Sequence, residues 1–226
     1  MSMERISYGK AREIARPGDV VAFGGSGLLS KIIKVAGNTV VSHAGVIVAP
    51  LNGDEEPQFL ESTIRLRGTD PVLGAKITAL KNRWDEYVGD VWLLRLGTTI
   101  RTQCFDEKRF IDFAAASEGK LFDIPEGLGI LIKELLEQLV EDRLIAEQYY
   151  FCSELVARAF VAAGTLPKLD PSDVSPKDLC RWKMYDDTYY LRDEQDNERS
   201  IRKFNSLPVG ATLDGTNERA RPAGSS

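Results

Sequence analysis

Three side chains of this sequence have the types that nucleophilic acyl chemistry requires: the thiol of Cys152, the imidazole of His43 and the carboxylate of Glu61. A thiolate attacks a carbonyl carbon, an imidazole takes and returns the proton, and a carboxylate fixes the imidazole tautomer and stabilises its protonated form. The chain contains one histidine, so chemistry of this kind must run through His43. Each residue also has an ordinary reading. His43 can be a hydrogen-bonded structural residue, Cys152 a small core side chain beside Leu155, Val156 and Ala159, and Glu61 a solvent-facing acid near a sheet edge.

The elements that carry these residues decide between the readings. Residues 40–48 alternate as a strand, with Val41, His43, Gly45 and Ile47 on one face, and Gly45 is expected to leave open space beside His43. Residues 59–64 form a second strand with Phe59, Glu61 and Thr63 on one face. A carboxylate there calls for a partner. If the two strands pair antiparallel with Gly45 opposite Glu61, His43 and Glu61 are diagonal neighbours about 7–8 Å apart at the backbone. Cys152 follows Tyr149-Tyr150-Phe151 and is expected to open an amphipathic helix over 152–163, stopped by Gly164. A thiol at a helix start would feel the positive end of the backbone dipole and free N–H groups. Both favour the thiolate, and the same N–H groups could hold an oxyanion. Cys104 lies in a polar stretch and Cys180 beside Arg181 and Trp182, so both read as structural or incidental.

The rest of the chain narrows the function classes. Its 226 residues suffice for one domain with a substantial core, and 43% hydrophobic with 28% charged residues is an ordinary globular composition. A net charge of −5 without a basic block disfavours nucleic acid. No apolar run reaches the roughly 18 residues of a membrane span. The polar first 16 residues lack the core of a secretory signal, so a cytoplasmic protein is expected. Three cysteines at long, irregular spacings do not make a disulfide framework, and one histidine without a C-x-x-C pair does not make a zinc site. No cofactor is implied. Further elements are expected at 20–23 (strand), 24–27 (flexible loop), 28–36 (helix), 50–57 (polar turn), 91–96 (strand), 107–117 (helix ending at Gly119) and 130–145 (helix). Residues 1–192 read as one domain. Residues 193–226 read as a polar, flexible tail through which a fused or bound partner could attach.

Several segments together resemble a known group. They are Pro17-Gly18-Asp19-Val20-Val21, Ser42-His43-Ala44-Gly45-Val46-Ile47-Val48, Phe59-Leu60-Glu61-Ser62, Gly119-Lys120-Leu121-Phe122-Asp123, Tyr150-Phe151-Cys152-Ser153-Glu154-Leu155-Val156 and Ser175-Pro176-Lys177-Asp178-Leu179. In this order they resemble the permuted papain-like amidases of the YaeF/YiiX type, within the wider NlpC-type peptidase superfamily. The histidine strand precedes the cysteine helix, as in the permuted branch. The resemblance spans roughly residues 15–180. It implies an α+β, circularly permuted papain-like fold with a small antiparallel sheet packed against helices. It also implies a cysteine hydrolase in which Cys152, His43 and Glu61 cleave an amide or ester through a thioester. The implied substrate is a small molecule, a lipid amide or a peptide. A lipid acyltransferase or thioesterase with the same triad, and an inactive binding module, are the competing readings. Phe122 stands where tyrosine is common in that group. Residues 128–145 resemble an inserted helix that shapes the substrate groove.

Overall fold

A computed structural model describes residues 3–25, 39–48, 56–65, 72–120, 142–166, 169–192, 200–214 and 217–221. Its centre is a seven-stranded sheet in the order β1-β7-β6-β2-β3-β4-β5. The strands are β1 (Glu4–Arg5), β2 (Val20–Gly25), β3 (His43–Ile47), β4 (Gln58–Arg65), β5 (Val72–Ala79), β6 (Gly89–Leu96) and β7 (Tyr185–Arg192). β1 runs parallel to β7, and the other neighbours pair antiparallel. The sheet is thus larger than the small one expected. β5 and β7 escape sequence reading because their apolar alternation is weak: β7 begins Tyr-Asp-Asp-Thr. Gly24 and Gly25, expected in a loop, belong to β2.

Both faces of the sheet are covered, which is why β2 reads as an apolar run and is buried at every position. On one face Val20, Ala22, Val46, Leu60 and Trp92 pack with Leu155, Val156, Ala159 and Phe160 of a long helix. On the other, Val21, Phe23, Ile47 and Phe59 meet Ala11 and Leu80 of two short ones. The helices are α1 (Tyr8–Ile14), α2 (Leu80–Glu86), α3 (Thr98–Gln103), α4 (Glu107–Ser117), α5 (Asp142–Ala162) and α6 (Pro176–Arg181). α4 has the expected bounds. Asp106 caps it by accepting from the Arg109 N–H, and Gly119 follows at φ 75°. α5 ends near Gly164, also at φ 75°, a conformation that favours glycine.

The Pro17-Gly18-Asp19 turn ties the sheet's centre together. Asp19 is fully buried. Its Oδ1 accepts from the Leu96 N–H (2.9 Å) and Arg101 Nη2 (2.7 Å), and its Oδ2 from the Arg16 N–H (2.9 Å) and Arg95 Nε (3.1 Å). A buried carboxylate needs such compensation.

Part of the segment read as a polar tail packs onto the domain. Ile201, Leu207 and Ala211 are buried. Leu207 exchanges backbone hydrogen bonds with Arg181 and Lys183, both 2.8 Å, and the Trp182 indole donates to the Ala211 carbonyl at 2.7 Å. A two-stranded hairpin, β8 (Thr212–Asp214) and β9 (Asn217–Arg221), follows. The expected helix at 28–36, and most of the expected turn at 50–57 and helix at 130–145, lie outside the described residues.

The ladder between β3 and β4 comprises Val46–Leu60 and Ile47–Phe59. Continued by one residue, it sets Gly45 against Glu61. The space beside Gly45 is not open, because the Phe59 ring fills it. A Cβ there would lie 2.3 Å from Phe59 Cζ and 2.6 Å from the Leu60 carbonyl oxygen. Gly45→Ala is therefore expected to destabilise the fold by about 2–3 kcal/mol, the penalty of overpacking against backbone. Urea unfolding measures it, and a midpoint unchanged from wild type would contradict this packing.

Candidate active site

His43 is the first residue of β3. It pairs with Phe23 of β2, whose ring lies 5.6 Å from the imidazole. The side chain is 12% exposed. Its Nε2 is 2.6 Å from Oε2 of Glu61, a buried carboxylate in the middle of β4. Strand alternation and the observed register bring the two together, since His43 and Glu61 project from the same face two positions apart across the pair.

The thiol arrives from the opposite layer. α5 packs across β3 and β4. It delivers Cys152, which is fully buried, to a side-chain hydrogen bond with His43. With Nε2 held by Glu61, Nδ1 is the ring nitrogen left for the sulfur. The local setting of Cys152 differs from the sequence expectation. The residue does not open a helix but sits midway along the 21-residue α5. Residues 146–151 contain no glycine, proline or capping side chain, so nothing breaks the helix before it. Its backbone N–H is committed to the helical ladder, and the helix-end field is remote.

A fourth residue, unanticipated in the sequence, completes the cluster. Arg83 of α2 places Nε 3.1 Å from the same Glu61 Oε2. Its guanidinium carbon lies 5.3 Å from the Phe23 ring centre and 5.2 Å from that of Tyr87. Leu80, Arg83, Trp84 and Tyr87 share one helical face. The signal available in the sequence was a cation on an otherwise apolar stripe. Of the other cysteines, Cys104 is exposed, whereas Cys180 is buried and burial pushes its thiol well above the usual range.

These contacts set the charges. Burial alone would lower the pKa of His43. The charge and hydrogen bond of Cys152, then those of Glu61, outweigh it and push His43 up to about 9. Burial would raise Glu61, but the hydrogen bond and charge of His43, then Arg83, hold its carboxyl below the usual value. The two shifts have opposite stability signs. His43 titrates higher folded than unfolded, so its contribution is complete below pH ~6.5 and is lost as pH rises through 9. Glu61 contributes above its unfolded value near 4.5, and that contribution is lost as pH falls through the lower folded value. The urea midpoint is therefore expected to decline as pH rises from ~6.5 through 9. His43→Gln should remove that slope. A slope that persists in the variant would assign it to other groups.

Among the described residues no group of three or more histidine, cysteine, aspartate or glutamate side chains could hold a metal ion. No described helix is long and apolar enough to cross a membrane. No protein-family model and no curated protein matches the chain. Among solved structures it is similar to one described as the metalloprotein YiiX from Escherichia coli O157:H7, DUF1105. The identity is 18% and the TM-score 0.40. The match covers 66% of each chain, so this chain spans just under two thirds of that structure's length.

Proposed function

We propose that this chain is a cysteine hydrolase of permuted papain-like type, acting on an amide or ester through a thioester, with Cys152 as nucleophile, His43 as base and Glu61 as the group that orients the base. One observation carries the reading: the chain's only imidazole is hydrogen-bonded to a carboxylate at 2.6 Å on one side and to a thiol on the other. The motif order noted in the sequence supports it independently.

In the proposed reaction His43 takes the thiol proton and the sulfur of Cys152 bonds to the carbonyl carbon. The tetrahedral intermediate collapses to a thioester as His43 returns the proton to the departing amine or alcohol. His43 then deprotonates water, which attacks the thioester and releases the acid and the thiol. Glu61 keeps the imidazole in the tautomer whose free nitrogen faces the sulfur. Because its own backbone N–H is bonded within α5, Cys152 supplies no main-chain donor to the oxyanion.

Intact-protein mass spectrometry tests the proposal. Brief incubation with p-nitrophenyl esters and aryl amides of short and long acyl chains is expected to add one acyl group. That group should map to Cys152 and be released by hydroxylamine. Release to water marks a hydrolase, and release only to an added amine or alcohol marks an acyltransferase. The experiment is read in a Cys104→Ser background, because exposed Cys104 is acylated by access alone; there an acyl group on Cys180, or none at all, rejects the assignment.

A further inference from the structure

The proposed triad does not account for Arg83. Its guanidinium approaches the one carboxylate oxygen that also faces His43: Glu61 Oε2 lies 2.6 Å from His43 Nε2 and 3.1 Å from Arg83 Nε. Arginine is the residue best suited to such a post, being always charged, planar and able to stack on aromatic rings. Here Phe23 and Tyr87 stand at 5.3 and 5.2 Å from it and 4.7 Å from each other. Phe23 in turn packs on the imidazole. The same aromatic ring therefore braces both the base and the cation. Arg83 is 19% exposed and Glu61 5%, so water screens the pair weakly.

We infer that Arg83 is a positioning residue for His43, acting through Glu61: its ring-braced guanidinium forms an ion pair with one carboxylate oxygen, keeps that group ionised in a buried site, and so holds the carboxylate that orients the imidazole. The inference rests on the triad reading and adds a fourth member whose charge tempers the base. With the guanidinium present, the imidazolium faces an ion pair and not a bare anion. His43 is held to a lower proton affinity than Glu61 alone would impose.

Cys152 reaches the His43–Glu61 pair from α5, Arg83 and Tyr87 from the α2 segment, and Lys76 of β5 stands opposite Glu61 in register. The described ion pairs of Glu61 are those with His43 and Arg83, so Lys76 serves as the control.

Since His43 is the only histidine, ring-labelled histidine gives a single imidazole signal, and its NMR titration reports the site whether or not a substrate is known. In Arg83→Met the His43 midpoint is expected to rise by roughly half a unit or more, because a cation facing the imidazolium is gone. The acid limb of the acylation rate should move to higher pH, because Glu61 protonates more easily. Turnover should fall roughly 10–100-fold in kcat with KM nearly unchanged. Arg83→Lys keeps the charge without the planar group that lies over Phe23 and Tyr87, so its midpoint should stay near wild type while kcat still falls several-fold. Lys76→Met should leave both unchanged. If Arg83→Met does not fold, Arg83→Gln is read in its place. An unmoved His43 midpoint in the charge-removing variant, or an Arg83→Lys protein with wild-type kcat, overturns the positioning role. Absence of any acyl-Cys152 in the wild-type protein overturns the triad reading instead, and the titration still decides what Arg83 does to His43.

Discussion

Cys152→Ala and His43→Ala are each expected to reduce turnover by about 10⁴-fold or more, with the double variant little worse than either alone. Nucleophile and base act as one unit, so removing either removes the covalent route, and the losses do not add. The substitutions differ in their side effects. The Cys152 side chain is fully buried, so alanine leaves a small void worth about 1 kcal/mol. His43→Ala strands the Glu61 carboxylate beside Arg83 and should destabilise more. Thiol labelling alone would mislead, because Cys104 is exposed and reacts by access while Cys152 is covered. The informative experiment uses a Cys104→Ser background and follows alkylation by iodoacetamide against pH. Reaction that depends on His43 identifies the pair. A Cys152→Ala protein that retains turnover would end the proposal.

Glu61→Gln is expected to lower kcat by about 10²–10⁴-fold while changing the shape of the site little. The amide is nearly isosteric, but its NH₂ can face Nε2 as a donor. That turns Nε2 into the acceptor and puts the proton on Nδ1, the nitrogen the thiol needs as a base. The same change removes the anion that helps hold His43 near 9, so its titration should fall toward the ordinary histidine range. Arg83 is left facing a neutral group, which adds a stability loss of about 1–3 kcal/mol. pH–rate profiles and the His43 NMR signal measure these effects separately. A Glu61→Gln enzyme with wild-type kcat would leave the carboxylate a structural role only.

Much of this arrangement was legible in the sequence, and the failures have physical causes. Strict two-residue alternation around His43 and Glu61 gave the shared face, because a strand offers only two faces and a one-residue slip exchanges them. The strand at 91–96 and the helix at 107–117 were equally plain, the helix through its amphipathic spacing and Gly119 stop. The start of the cysteine helix was not. An aromatic run before Cys152 was read as a boundary, although it holds no residue that terminates a helix. The open space beside Gly45 was misjudged because alternation tells which face a residue takes but not which neighbour leans over it, here Phe59. Arg83 was missed because the pairing that matters joins residues 61 and 83 through tertiary packing of α2, which no local spacing encodes. The anchors at Ile201, Leu207 and Ala211 were hidden by polar surroundings, since three apolar residues spread over eleven positions make no periodic signal.

The order of the elements along the chain has a consequence for synthesis. His43, Glu61 and Arg83 all precede Cys152 by about 70 residues or more, and β7, which joins β1 to β6, comes later still. As the polypeptide leaves the ribosome, the basic half of the machinery emerges first and waits without a sulfur to activate. The central sheet cannot close until the last third of the chain has been made. If Cys152 is the nucleophile, a nascent product that stops short of α5 is expected to be inert. On the proposed reading, Cys152 meets His43 only when the long helix docks across β3 and β4.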